Sequence, residues 1–518
     1  AVGVPIVGAT NAGVLLMHSI PPALAAVLLV RVSALLVGPG MALVLTLLAV
    51  GGICYQGNFY VDALRFAQLG GPASYNPELH LFGPYSLHLE FNRFFSPGIT
   101  FGIFLLGMWP LAVDPDMNRR RTPLLAGAAI GLQLESYPHA ALVLAATAGC
   151  LLIFAFWRRR QKEGFRSAAI SFVTHAALMA AACVIVAAPW VYRYVEFRTL
   201  PAAADIMQRV GFYDGRVDTQ RTPVLAWLIV ALVLRRAAHC AAAARPGAWF
   251  ESSADRFWAA LMVAAAVTVW IPGLLGHAGL FPQPWLIPLR CLCFLAPLLV
   301  GYPAVLWFQA ARPRWAATRW SHTLAVAVTL GYLALLFHGE YAAGRNNAHL
   351  FAVTPEMARC RRDVLEISPP ESVLLCDDLR LVSYLVCETD RYSLIGYGAS
   401  SNATTHEMLE RLMIPCVLQG MSFDQFHTSH YAAGRGLPSG PTGAHWALHH
   451  GGDARPVEVE ILRGMYATLS QLNAAALVGR YPFDYLYLDP ARLATRFRPL
   501  FETIPGTWLS RPIGRAVQ

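Results

Sequence analysis

The chain has 518 residues, of which 56% are hydrophobic and only 14% charged, with a mean hydropathy of +0.45. Soluble domains carry about 25% charged residues, so this composition excludes an ordinary water-soluble protein and points to a chain solvated largely by lipid. The net charge of +9 comes almost wholly from arginine, Lys162 being the only lysine. These arginines sit in short clusters between apolar runs, where they report membrane topology. No segment resembles an RNA- or DNA-binding module, so nucleic acid is not an expected partner.

In chain order, Ala1–Val37 is apolar and reads as two helices with a turn at Pro21–Pro22. It begins inside an apolar stretch with no charged leader and cleavage site, which predicts that a further segment precedes it. Gly38–Tyr55 reads as another crossing, and Gln56–Gly98 as a long loop rich in Gly, Pro, Asn and aromatics. Within it, Phe82–Gly98 gathers His88, Glu90, Asn92 and Arg93. Glu90 and Arg93 are three apart and would share one face of a helical turn. They serve either as an ion pair anchoring the loop at headgroup level or as the lining of a site.

Ile99–Val113 returns into the bilayer but falls short of the ~20 residues of a perpendicular span. Arg119–Arg121 and Arg158–Lys162 then bracket Leu124–Trp157, which is interrupted at Glu135–His139. At about 1.5 Å per residue this stretch is too short for two full spans, so it predicts two short, tilted helices meeting at the interruption. Such a turn must be buried in protein or line a water-filled cavity.

Ala168–Val191 crosses outward, Tyr192–Thr222 is a charged outer loop, and Pro223–Leu234 returns to Arg235 and Arg236. Phe257–Leu275, Arg290–Ala310 and His322–Phe337 complete the passages, leaving the tail outside the cytoplasm.

The tail changes character. Ser372–Cys376 and Phe483–Leu488 read as strands and Leu379–Val386 as helical, while Thr404 with Glu407 fits a capping box opening a helix through Met413. Alternating strands and helices indicate a small α/β domain. The expected fold is therefore mainly α: a polytopic transmembrane domain, 1–338, followed by a small extracytoplasmic α/β domain, 339–518. The expected location is a bacterial-type inner (plasma) membrane.

Cys54, Cys150, Cys183, Cys240, Cys291 and Cys293 accompany apolar runs, where cysteine is usually a small core residue. Cys360, Cys376, Cys387 and Cys416 belong to the tail. No spacing among them fits zinc. Nucleotide-binding glycine motifs are absent. Tyr397–Ser401, a Gly/Ser turn, and Asp377–Asp378, at a strand end, are weaker ligand candidates, and Asn402–Thr404 matches a glycosylation sequon.

The outward set is the stronger one: Asp62, His88, Glu90 and Arg93 in one loop, Glu135 and His139 at the broken helix pair, Arg193 at a helix end and Arg290 opposite. Ionisable groups at membrane depth are costly and by default functional. Arginine forks suit phosphate oxygens, and a carboxylate there can take a proton from a hydroxyl or hold a metal on a leaving diphosphate. His139 by itself reads as a packed histidine.

The layout, with the RFFSP run at Arg93–Pro97, the LAGAAIG run at Leu125–Gly131 and the tail segments SVLLCDDLRLVSYLV and HEMLERL, resembles the polytopic GT-C glycosyltransferases. The resemblance implies an integral membrane enzyme that moves a sugar from a polyprenyl-phosphate donor to an acceptor outside the cytoplasm. It also implies an acidic residue of an outer loop as base or metal ligand, for which Glu90 and Asp62 are the candidates, a divalent cation being compatible with that chemistry. The acidic first loop of such enzymes is expected upstream of Ala1. Two other classes stay open: a transporter or flippase of a lipid-linked substrate, which would show paired similar halves, and a non-catalytic scaffold with an external binding domain.

Overall fold

The computed structural model describes residues 10–51, 53–54, 57–58, 100–209, 218–242, 252–277, 291–311, 353–376, 389–395, 403–431 and 459–513, with isolated positions at 323–334 and 381. It is mainly helical, with a small sheet near the C-terminus. Two compact units are present: Ala1–Glu196 with Gly215–Leu275 and Pro284–Asn347, and Phe197–Asp214 with Gly276–Gln283 and Ala348–Gln518.

The first unit contains helices α1 (Thr10–Val37), α2 (Pro39–Gly51), α3 (Thr100–Val113), α4 (Arg121–Ser136), α5 (Pro138–Glu163), α6 (Phe165–Arg198), α8 (Asp218–Ala241), α9 (Ser253–His277) and α10 (Cys293–Ala311). Among the described residues three segments are long and apolar enough to cross a membrane: Pro138–Glu163, Phe165–Arg198 and Val224–Ala241. The turn expected at Pro21–Pro22 is not formed, and α1 runs through both prolines. Each proline removes one backbone donor. A full break would instead leave several amides and carbonyls without partners in an apolar setting, so the helix continues.

The interrupted segment is also corrected. The helix α4 is short, 16 residues, but α5 has 26 and reaches spanning length once Pro138 is taken as its first residue. A single residue, Gly164 at φ 86°, turns α5 into α6. That left-handed value suits glycine, which has no Cβ to clash.

Small residues bring α4 and α6 close together. A Cβ on Gly131 would stand 2.7 Å from the Cys183 carbonyl oxygen and 2.9 Å from Val186 Cβ, and one on Gly127 would overlap Met179. The glycines of the LAGAAIG run therefore let α4 lie backbone to backbone on α6, the packing that small-xxx-small pairs give in membranes. Positions 127 and 131 meet 179 and 183, so the two helices run parallel and in step.

One end of this unit is tied by charge. Asp116, in the α3–α4 turn, accepts from Arg158 Nη1 at 2.7 Å and from Arg256 Nη2 at 2.8 Å. Asp255, at the start of α9, accepts from Arg235 at 2.9 Å, Ser252 Oγ at 2.8 Å and the Tyr302 hydroxyl at 2.8 Å. Asp114 takes the Asn118 and Arg119 amides and the Thr122 hydroxyl. The basic junctions α3–α4, α5–α6 and α8–α9 thus meet at one level, with buried carboxylates offsetting part of their positive charge.

The second unit is an α/β layer structure. Besides the antiparallel pair β1 (Ile53–Cys54) and β2 (Gly57–Asn58) of the first unit, strands β3 (Val373–Cys376), β4 (Tyr392–Ser393), β5 (Tyr485–Tyr487), β6 (Phe501–Thr503) and β7 (Leu509–Pro512) lie in the order β4-β3-β5-β7-β6. Here β3 is parallel to β4 and β5, whereas β7 is antiparallel to β5 and β6. Side chains alternate across the sheet. Leu375 and Leu486 join the core beneath α12 (Thr405–Leu418) and α13 (Val459–Gln471), with Met408, Leu412, Phe426, Leu462 and Leu469. Leu374, Cys376, Tyr485 and Tyr487 face the other way, onto Met357, Cys360 and Val364 of α11 (Pro355–Ile367).

A central strand covered on both faces is continuously apolar, which is why SVLLC and FDYLYL are legible as strands. Thr404 caps α12, its hydroxyl accepting from the Glu407 amide at 3.1 Å. The Glu407 carboxylate pairs with Arg411 rather than closing the box. The segment expected as a loop at Tyr192–Thr222 contributes the short helix α7 (Ala203–Arg209). Its Asp205 accepts from the Thr405 amide and, at 2.9 Å, from the Thr405 hydroxyl.

Candidate functional site

At the end of α4 away from the basic junctions the helix stops at Ser136, Tyr137 turns the chain with φ −159° and ψ 85°, and Pro138 opens α5. Proline fits there because the first helical residue has no intrahelical use for an N–H. Gln133, fully buried in the last turn of α4, donates its amide Nε2 to the Thr100 carbonyl at the start of α3. Its Oε1 accepts no hydrogen bond among the described residues. Leaving such an acceptor dry costs about 1–3 kcal/mol, so this buried oxygen stands ready for a hydroxyl or amide donor.

Around this junction the sequence-selected residues divide. His139 is 5% exposed and packs its ring against Tyr137, 4.7 Å between centroids. Glu135 is exposed. Arg193 is exposed near the C-terminal end of α6, beside Trp190 and Tyr194, whose rings stack at 5.3 Å. The in-step crossing of α4 and α6 carries Glu135 to the level of residue 187, so Arg193 lies about 9 Å further along the axis. Glu135, His139 and Arg193 thus occupy one end of the helices, on three different surroundings, and do not touch. Asp62, His88, Glu90, Arg93 and Arg290 lie outside the described residues, as do Asp377, Asp378, Tyr397–Ser401 and Asn402.

Arg93 precedes Thr100 by seven residues, a reach of at most about 25 Å. Thr100 is anchored by Gln133, two positions before Glu135. The junction therefore carries, among the described residues, an exposed acid, a buried amide and a buried imidazole.

Gln133 and Thr100 were not singled out from the sequence. The available signal was a lone amide in the final turn of an apolar helix, LAGAAIGLQLES, where a polar side chain needs a partner. No group of three or more His, Cys, Asp or Glu that would hold a metal is found among the described residues.

Comparison with known proteins gives no family: no protein-family model matches the chain, and no curated protein matches it significantly.

Proposed function

We propose that the chain is a multi-pass inner-membrane glycosyltransferase of GT-C architecture, moving a sugar from a polyprenyl-phosphate donor to an acceptor on the extracytoplasmic side. The single observation that supports this reading is the Gln133–Thr100 hydrogen bond near the α4–α5 break, which holds the start of α3, the helix that follows Glu90 and Arg93 in the sequence. In this reading Arg93, with Arg290, neutralises the donor phosphate, as a guanidinium fork does. Glu90, with Asp62 as second candidate, takes the acceptor proton or holds a divalent cation. His88, Glu135, His139 and Arg193 line the surrounding wall.

Sidedness follows from charge and connectivity. The arginine junctions belong to the cytoplasmic side by the positive-inside rule. The helix α6 starts there at Phe165 and has Trp190, Tyr192 and Tyr194 near its other end. That interval of about 25 residues, near 38 Å, matches a bilayer with its headgroup layers, and tryptophan and tyrosine favour such interfaces. From that end the chain passes into α7, whose Asp205 bonds to Thr405 within the second unit, and this connectivity supports an outer location for the α/β unit in this reading.

The test is release of polyprenyl phosphate from a labelled lipid-linked sugar by the purified full-length protein. Glu90→Gln and Arg93→Ala are expected to abolish release while the protein still folds. Absence of release across a panel of donors would sink the proposal. The non-catalytic scaffold has one observation in its favour, the separate surroundings of Glu135 and His139. It predicts that both variants leave the cell envelope unchanged and that truncating the α/β unit does not.

A further inference from the structure

A second polar feature lies at the opposite, basic end and serves no step of sugar transfer. A groove of about 500 Å³ runs between the start of α4 and α6, lined by Arg120, Arg166, Ser171, Thr174 and His175, with Ser167 and Ile170 at its edge. Among the described residues neither Arg120 nor Arg166 makes an ion pair. The neighbouring carboxylate, Glu163, is held by the Ser167 hydroxyl at 2.9 Å.

At the inner end His175 is 8% exposed. Its Nδ1 stands 2.6 Å from the Ser171 carbonyl. A carbonyl only accepts, so Nδ1 carries the proton and the ring is turned back onto its own helix. Nε2, on the outer edge of the ring, is buried and without a hydrogen bond among the described residues. A buried imidazole nitrogen with no partner is unfavourable, and His175 is one of the residues that line the groove.

We infer that this groove binds an anionic phospholipid: the phosphate sits between the Arg120 and Arg166 guanidiniums, and the polar linkage beneath it reaches Ser171, Thr174 and His175 Nε2. Three features favour a lipid over a free phosphate. From Arg166 to His175 is nine helical residues, about 14 Å, longer than one phosphate and comparable to a headgroup with its glycerol esters. The charged groups, Arg120 and Arg166, are exposed, whereas the groove also holds the half-buried Ser171 and the buried His175. The flanking surface of α6, Phe165, Ile170 and Val173, is exposed and apolar, as an acyl chain requires. The inference is independent of the transfer reading.

The test uses full-length protein in phosphatidylcholine nanodiscs titrated with phosphatidylglycerol, reading retained lipid by native mass spectrometry and the unfolding temperature. Wild type is expected to retain the anionic lipid and to rise in unfolding temperature. The double variant Arg120→Gln/Arg166→Gln, at exposed positions that leave the fold intact, is expected to lose about tenfold or more in affinity, since each charge-assisted bond is a major term. His175→Gln should weaken retention as well. The double variant Arg121→Gln/Arg236→Gln removes the same charge outside the groove and should change affinity less than about twofold. Equal loss in both double variants would reduce the effect to general surface charge and overturn the site. Displacement of the lipid by millimolar inorganic phosphate would overturn the lipid assignment.

Discussion

Replacing Gly127 with alanine tests the crossing of α4 and α6. The added methyl would stand 2.9 Å from the carbonyl carbon and 3.0 Å from Cα of Met179, and nearer still to the carbonyl oxygen. Carbon atoms settle at about 3.5–4.0 Å and the carbonyl oxygen is the nearest obstacle, so α4 and α6 must part by about 1 Å. The obstacle is backbone, so no rotamer change relieves it. A gap of that size forfeits about a quarter to a half of the dispersion attraction at each affected contact, and overpacking of this kind costs about 1–3 kcal/mol. Gly149, in α5, is the matched control: a methyl there meets nothing within 4 Å and gains up to about 1 kcal/mol of helix propensity. The propensity gain is common to both helical positions, so unfolding of full-length protein in nanodiscs should separate Gly127→Ala from Gly149→Ala by about 1–3 kcal/mol, with Gly131→Ala between them. A Gly127→Ala protein as stable as Gly149→Ala would refute the crossing and, with it, the level assigned to Glu135 against Arg193.

Asp116→Asn removes the charge that Arg158 and the buried Arg256 share; the carboxylate is part-buried, so the loss is about 1.5–3 kcal/mol, as for hydrogen bonds to charged groups, and the unfolding temperature should fall, whereas Glu502→Gln, in the exposed pair with Arg511, should leave it unchanged. Asp205→Ala deletes both bonds to Thr405 and should cost about 0.5–2 kcal/mol, as loss of a helix cap does, seen as faster hydrogen exchange in the first turn of α12. In the α/β unit, burial holds the phenols of Tyr466, Tyr481 and Tyr487 above the usual tyrosine range. Above pH ~10 the unfolded chain releases these protons while the folded chain keeps them, so the unfolded state binds fewer and stability falls as pH rises. Exchange protection of the Val373–Cys376 amides should hold up to about pH 10 and decline beyond it, and Tyr481→Phe should flatten that decline; protection that rises above pH 10 would contradict the sign.

Composition and hydrophobic runs, by themselves, determined that most of this chain is apolar helix, that the arginines punctuate it, and that a separate α/β segment follows. Burial in lipid or between two helical layers writes itself into every residue of a run, as SVLLC and the apolar body of α6 illustrate. Tertiary structure decided what local pattern does not encode. Whether Pro21–Pro22 breaks a helix depends on the surrounding medium. That Gly127 and Gly131 face Met179 and Cys183, that Gln133 reaches Thr100 across 33 positions, and that Asp116 holds Arg256 across 140 depends on which helices lie side by side. Polar residues advertise a need for a partner in the sequence; only the packing of distant segments chooses that partner, because hydrogen bonds and ion pairs form over a few ångströms of space irrespective of separation along the chain.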